Sequence, residues 1–312
     1  VGMVCKRGIF DTALKELDIH SAPGPSGMRF VHLQHLTSTE RSKDAFYNVC
    51  QEVLEGRLPD QMKKLLMRAT LTPFAKPGSD SVRPICVAES FRRFTSKLAA
   101  RSLKENFQAY FCPLQVGVGT PNGGESICHE TRARWLQGEA VGTLDLRNAF
   151  NSFNREEALL KVFLHFPTLF PYIKMMYGEP ASLYLNRGLS IESEQGAYQG
   201  DPLSPFLFAL TIHDVIKKAK DRFRLAIYAY CDDVTVAGED IDRVQKCMAF
   251  LRDELKESGL ETNMDKSKIY LRSVEASTED REEAPSSGKE GEDSEENFPV
   301  EFSSGFRCMG GY

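Results

Sequence analysis

The chain has 312 residues, 41% of them hydrophobic, enough for a large core in one or two domains; it contains no apolar run long enough to suggest a membrane span and no secretory signal pattern. Net charge is −5, but residues 271–312 hold eleven acids against four bases (net −7) and leave residues 1–270 at +2, so charge neither supports nor excludes a nucleic-acid groove. The eight cysteines are scattered with no C-x-x-C pair and no Cys/His cluster, which argues against a zinc module or disulfide framework and fits a reducing intracellular setting.

Along the chain, residues 37–60 read as an amphipathic helix. Ala45/Phe46, Val49/Cys50 and Val53/Leu54 recur at helical spacing, Thr37 and Glu40 form a candidate capping box, and Gly56 and Pro59 mark the exit. The stretch "GVGTPNGGE" is glycine-rich but lacks the ending of a phosphate-binding loop, and reads as a flexible connector. "EAVGTLDL" reads as a strand ending in Asp145, and residues 154–166 as a helix stopped by Pro167. "SLYLNRGLSIES" alternates around a turn, a helix follows Ser204-Pro205, and "LAIYAY" and "VTVAG" flank a Cys-Asp-Asp tip. A helix over 240–258 carries Ile241, Val244, Met248, Leu251 and Leu255 on one face, with Gly259 as its cap. Residues 276–297 carry no aromatic or large aliphatic side chain and are expected to be a disordered acidic insert. Helices and strands interleave without a strict βαβ rhythm, so the fold class is α+β.

The adjacent carboxylates of Asp232 and Asp233 carry the chemistry. An acidic pair at a turn is ordinarily a surface feature, but here the flanking segments are apolar, and burying unpaired carboxylates is expensive. A hard divalent cation relieves that cost, and oxygen-only ligands point to Mg2+, with Mn2+ as the alternative. Asp145, at the end of an apolar strand, is the candidate third carboxylate. Side chains alternate along a strand, so Asp232 and Asp233 are not equivalent ligands. Three carboxylates holding two ions suit nucleotidyl transfer by in-line displacement.

At these residues the chain resembles the reverse transcriptases of non-LTR retrotransposons. Tyr230-Cys231-Asp232-Asp233 resembles their Y-x-D-D box, and "LDLRNAFNS" their first catalytic motif, an Asp followed five residues later by an aromatic, here Phe150. "YQGDPLSPFLFAL" resembles their Q-G-x-x-x-S-P motif, and "GLETNMDKSK" their G-L-x-x-N-x-x-K segment through Gly259, Leu260, Asn263 and Lys266. "SAPGPSGM" resembles their entry motif with Ser26 where Asp is usual, and "PFAKPGSDSVRPICV" their fingers segment. These motifs stand in the family's order over about residues 21–270.

The resemblance implies a right-hand polymerase, with fingers and a palm whose antiparallel sheet packs on helices. The expected layout is a lead-in at 1–20, fingers at 21–138, palm at 139–270, the acidic insert at 271–297 and the start of a primer grip at 298–312. The thumb is expected to be essentially absent, and the Val at position 1 points to a segment of a longer polyprotein. Implied site residues are Asp145, Asp232 and Asp233 for two Mg2+ ions, with the Leu146 carbonyl as a further ligand. Lys266 is the implied proton donor to pyrophosphate, with Lys268 nearby. Lys76 and Arg83 would meet the triphosphate, Gln199 and Gly200 would line the nucleotide pocket, and Tyr230 and Gly310 would contact the primer. Phe150 would be the steric gate against a ribose hydroxyl. By residue type alone, Lys76 reads better as solvated charge, Arg83 and Lys266 also read as solvated charge, and Phe150 reads equally as core. The implied partners are an RNA template, a DNA primer and dNTPs, with no membrane, in the cytoplasm or nucleus. An RNA-dependent RNA polymerase shares the palm and the Asp pair, although it usually carries Asp at the position of Phe150. An inactive remnant of a retroelement polymerase is the third reading.

Overall fold

The computed structural model describes residues 2–75, 82–185, 188–273 and 297–303. Two compact units are formed, Val1–Phe111 with Asn148–Ile212, and Cys112–Arg147 with His213–Tyr312. The first stretch contains α1 (Arg7–Lys15), α2 (Phe30–Leu36), α3 (Glu40–Leu54), α4 (Asp60–Met67), β1 (Ala69–Ala75), β2 (Val82–Ala88), α5 (Ser90–Ser102) and α6 (Lys104–Phe111). α7 (Gly123–Leu136), β3 (Ala140–Leu144) and β4 (Leu146–Arg147) follow in the second unit. Back in the first come α8 (Ala149–Ser152), α9 (Arg155–His165), α10 (Phe170–Tyr177), β5 (Ala181–Tyr184) and β6 (Ser190–Ser193). The chain changes unit within α11 (Ser204–Phe223), then forms β7 (Ala226–Tyr230), β8 (Asp233–Gly238), α12 (Ile241–Glu257), β9 (Glu261–Thr262), β10 (Lys268–Arg272) and β11 (Val300–Ser303). The class is α+β, as the sequence predicts.

In the first unit the sheet order is β2-β1-β5-β6, with β1 antiparallel to β2 and parallel to β5. The helices gather around Phe10, Phe46 and Phe94, whose ring centroids lie 5.7 to 6.0 Å apart. The same unit contains a buried ion pair. Arg92 Nε donates to Asp201 Oδ2 at 3.1 Å, and the guanidinium lies over the rings of Tyr177 and Tyr198. Tyr177 also donates its hydroxyl to Asp201. The expected capping box of α3 is displaced by two residues. Thr39 is the N-cap and exchanges hydrogen bonds with Ser42, whereas Thr37 closes the end of α2. The caps of α9 (Asn154) and α12 (Asp240) fall where the sequence puts them, each carboxyl or amide oxygen accepting from two backbone N–H groups.

In the second unit the sheet order is β11-β10-β3-β8-β7. Every pair is antiparallel except the edge strand β11, which runs parallel to β10 and departs from the all-antiparallel expectation. Trp135 of α7 packs on Val141 and Ala237, a cross-strand pair. The next pair, Gly142 and Val236, points to the other face, where α12 lies so close that a Cβ on Gly142 would meet Met248. The sheet is therefore covered on both faces, which explains why β7 and β8 read as apolar runs. Of the expected acidic insert at 271–297, Leu271 and Arg272 belong to β10 and Ser273 and Asn297 are also described, while 274–296 lie outside the described residues. Among the described residues no helix is long and apolar enough to cross a membrane.

Candidate active site

β3 and β8 pair with Leu144 opposite Val234, and β8 pairs with β7 with Asp233 opposite Tyr230. This register brings the ends of three neighbouring strands together: Asp145 directly follows β3, Asp232 sits in the turn and Asp233 opens β8. All three carboxylates are only half-buried. Burial first, and then Asp232 and Asp145, push the Asp233 carboxyl up to about 6. Burial also raises Asp232, with Asp145 adding to the shift and a backbone hydrogen bond opposing it. The turn is tight, and Cys231 takes the left-handed conformation at φ 53°. Its thiol is pushed up to about 12 by burial and by the two neighbouring aspartates, so in the metal-free chain it stays protonated at neutral pH.

Asp145 interrupts the strand rather than ending it, since its neighbour Leu146 pairs with Thr262 in the short ladder of β4 and β9. The turn that follows β9 holds it there. Asn263 donates its side-chain amide to Asp145 Oδ2 at 3.1 Å and its backbone N–H to the Asp145 carbonyl at 2.8 Å. Ser267 Oγ accepts from the Asp145 N–H at 3.0 Å and donates to the Asn263 carbonyl at 2.9 Å. Asn263 was legible as a motif residue, but its bond to Asp145 and the part played by Ser267 were not. Lys266 is exposed in the same turn, whereas Lys268 is paired with Glu301 at 3.1 Å.

Among the described residues no three His, Cys, Asp or Glu side chains are gathered into a metal-holding group. The donor set nevertheless fits a hard divalent cation. It consists of carboxylate oxygens, it is half-buried, and Asp145 adds to the upward shifts of Asp232 and Asp233, an effect that a cation among them would reverse.

Beside the pair is a cleft of about 570 Å³, lined by Asp233, Tyr230, Gly117, Gly123, Glu125 and Cys128 among others. Its size lies within the range of ligand sites. Val116 and Gly117, the latter opening the glycine-rich stretch read as a connector, line the cleft, and their segment is built into the hairpin. Gln115 is fully buried and bonds both backbone groups of Cys231.

The other candidates belong to the first unit. The Gln199 carbonyl accepts from the Cys86 N–H of β2 at 2.9 Å, and a Cβ on Gly200, at φ 126°, would come within 2.7 Å of the Cys86 carbonyl. Arg83 is exposed on the same strand. Phe150 is half-buried in α8, its ring 5.2 Å from that of Phe208, and its carbonyl accepts from Ala197 in the loop leading to Gln199. Lys76 and Gly310 lie outside the described residues.

A family-wide sequence profile described as reverse transcriptase (RNA-dependent DNA polymerase) matches residues 74–296, most of the chain. The chain belongs to the reverse transcriptase family. Among curated proteins, a retrovirus-related Pol polyprotein from the type-1 retrotransposable element R2 of Nasonia vitripennis is 23% identical over 277 residues. That match takes in 82% of this chain but only 26% of the relative, so this reverse transcriptase-family chain corresponds to about a quarter of that polyprotein. The family is one that generally uses divalent metal ions and acts on nucleic acid and nucleoside triphosphates.

Proposed function

We propose that this chain carries the nucleotide-adding centre of an RNA-directed DNA polymerase, extending the 3′ end of a DNA primer with dNTPs on an RNA template. The observation that carries the reading is the placement of Asp145, Asp232 and Asp233 at the ends of adjacent paired strands in a member of the reverse transcriptase family. Asp145, Asp232 and Asp233 would hold two Mg2+ ions, or Mn2+, with the Leu146 carbonyl as a further ligand. When bound, such ions neutralise the charge that develops on the phosphoryl group in an in-line displacement.

The protein's own contribution is to orient and to discriminate. Asn263 and Ser267 hold Asp145 by both its carboxylate and its backbone, so the ligand does not have to be ordered during the reaction. Arg83 and Lys76 would pair with the triphosphate, where a guanidinium fork matches phosphate geometry. Gln199 and Gly200 would line the nucleotide pocket, with Gly200 letting backbone approach closely. Phe150 would lie beneath the sugar and exclude a 2′-hydroxyl. Lys266 would give a proton to the leaving pyrophosphate, a role the pairing of Lys268 with Glu301 makes less suited to Lys268. Tyr230 and Gly310 would contact the primer. The right-hand layout of fingers and palm, and further domains of a longer polyprotein as partners, belong to the same reading.

The deciding experiment offers a labelled primer annealed to an RNA template, with Mg2+ and either dNTPs or rNTPs. Template-directed addition of dNTPs is the expected result. Extension only with rNTPs would make the chain an RNA-dependent RNA polymerase, and no product with either set would overturn the reading.

A further inference from the structure

We propose that Gln115 is the positioning residue of the aspartate hairpin, fixing the turn at Cys231 from which Asp232 and Asp233 project. The inference rests on the polymerase reading of those aspartates. The side chain of Gln115 is wholly inaccessible to solvent. Its Nε2 donates to the Cys231 carbonyl at 3.1 Å, and its Oε1 accepts from the Cys231 N–H at 2.9 Å and from the Gly117 N–H at 3.2 Å. One amide thus binds both backbone groups of a residue held in the left-handed region, a conformation that a non-glycine residue keeps only where its surroundings impose it.

The backbone around Gln115 is docked as firmly. Val116 donates to the Ala229 carbonyl at 2.9 Å, and Ala229 donates to the Leu114 carbonyl at 2.8 Å, which makes a single parallel bridge on the open edge of β7. Gly117 is needed for the same approach, since a Cβ there would come within 2.6 Å of the Cys231 nitrogen and 2.8 Å of its sulfur. The spacing of Gln115 and Gly117 follows from this. The amide oxygen turns back to the N–H two residues on while the same group reaches the hairpin. Only a residue with one donor, one two-lone-pair oxygen and the reach of Gln makes all three bonds. Ligands that depend on such outer contacts lose metal affinity when the contact is removed.

The test compares the 312-residue chain with Gln115→Met, similar in length but without the amide, and with Gln115→Glu, whose carboxylate still accepts from both N–H groups but cannot donate. Hydrogen exchange is read at the Cys231 and Gly117 amides, and Mn2+ affinity by titration of the free ion. In Gln115→Met the Cys231 amide should exchange roughly tenfold faster or more, as loss of a buried hydrogen bond implies. Its Mn2+ affinity should fall roughly 10–100-fold. In Gln115→Glu the Cys231 amide should stay slow. A role confined to packing would lower the melting temperature and leave Mn2+ affinity where it is. Wild-type exchange and Mn2+ affinity in Gln115→Met would overturn the proposal. If Gln115→Met does not fold, an unprotected Cys231 amide in folded Gln115→Glu would overturn it. Asp232→Asn separates the two readings: it should lose Mn2+ while the Cys231 amide stays protected. If wild type and Asp232→Asn bind Mn2+ alike, the metal-site reading fails while the exchange pattern still decides the clamp.

Discussion

Asp233 is held in its protonated form more readily than an ordinary aspartate, with a carboxyl near 6, because burial and the charges of Asp232 and Asp145 oppose its ionisation. A group raised in the folded state contributes stability that is complete below its unfolded pKa and is lost as pH rises through the folded value. Asp233 therefore stabilises the metal-free fold below about pH 4, and that contribution disappears as pH passes 6. Asp233→Asn removes the penalty. After allowance for solvent screening of a half-exposed group, the gain at pH 8 is about 1 kcal/mol, roughly 2–4 °C in melting temperature. The check is the difference between the melting curves of variant and wild type at pH 4 and pH 8 in chelator, expected to be near zero at the lower pH and positive at the higher. Phe150 offers a prediction of specificity. Its ring packs on Phe208 but stays half-exposed, so Phe150→Val opens space without emptying a sealed core. The ratio of rNTP to dNTP incorporation should rise by about tenfold or more, since a steric exclusion exceeds the roughly 1–3 kcal/mol of a lost apolar contact. An unchanged ratio in a folded variant would leave Phe150 as core.

Among the elements, α5 shows why part of the fold escaped the sequence. Its buried face includes Ser90, Arg92, Thr95 and Ser96, so the apolar periodicity that marks α3, α9 and α12 is broken. Those polar groups are satisfied by partners far along the chain: Thr95 and Ser96 by the Tyr172 hydroxyl, Arg92 by Asp201 and the Met67 carbonyl. No local pattern announces such bonds. The same holds for residues 115–117, since Gly117 opens a glycine-rich stretch that reads as a connector while the hairpin they hold is 116 residues away. The aspartates themselves were legible, since apolar strands on both sides of a charged pair are a local contradiction that chemistry must resolve. Asp201 directly follows Gly200, so the ion pair with Arg92 anchors the loop carrying Gln199. Removing one partner strands a buried charge. Arg92→Leu should destabilise by roughly 3–5 kcal/mol, and adding Asp201→Leu should recover part of that loss. Urea unfolding of the two single variants and the double variant measures it, and additive losses would contradict the pairing.

For the whole molecule, the sign of the charge depends on where the acids lie. Residues 274–296 contain ten acids and two bases, so their excision takes the chain from −5 to +3. A nucleic-acid partner is a polyanion whose binding is governed by counterion release. Excision should tighten binding of a primer–template duplex, strongly at about 50 mM salt and little at about 500 mM, where the Debye length shrinks to a few ångströms. Fluorescence anisotropy across that salt range checks it, and equal affinities at low salt would show that the acidic stretch is electrostatically idle. The central claim, that Asp145 and Asp232 are the nucleotidyl-transfer ligands, is tested most directly by primer extension on an RNA template with Mg2+ and dNTPs. Wild type is compared with Asp145→Asn and Asp232→Asn, all three matched for circular dichroism. The account predicts extension by wild type and a loss of several orders of magnitude in both variants. Extension at wild-type rates in either variant would contradict it.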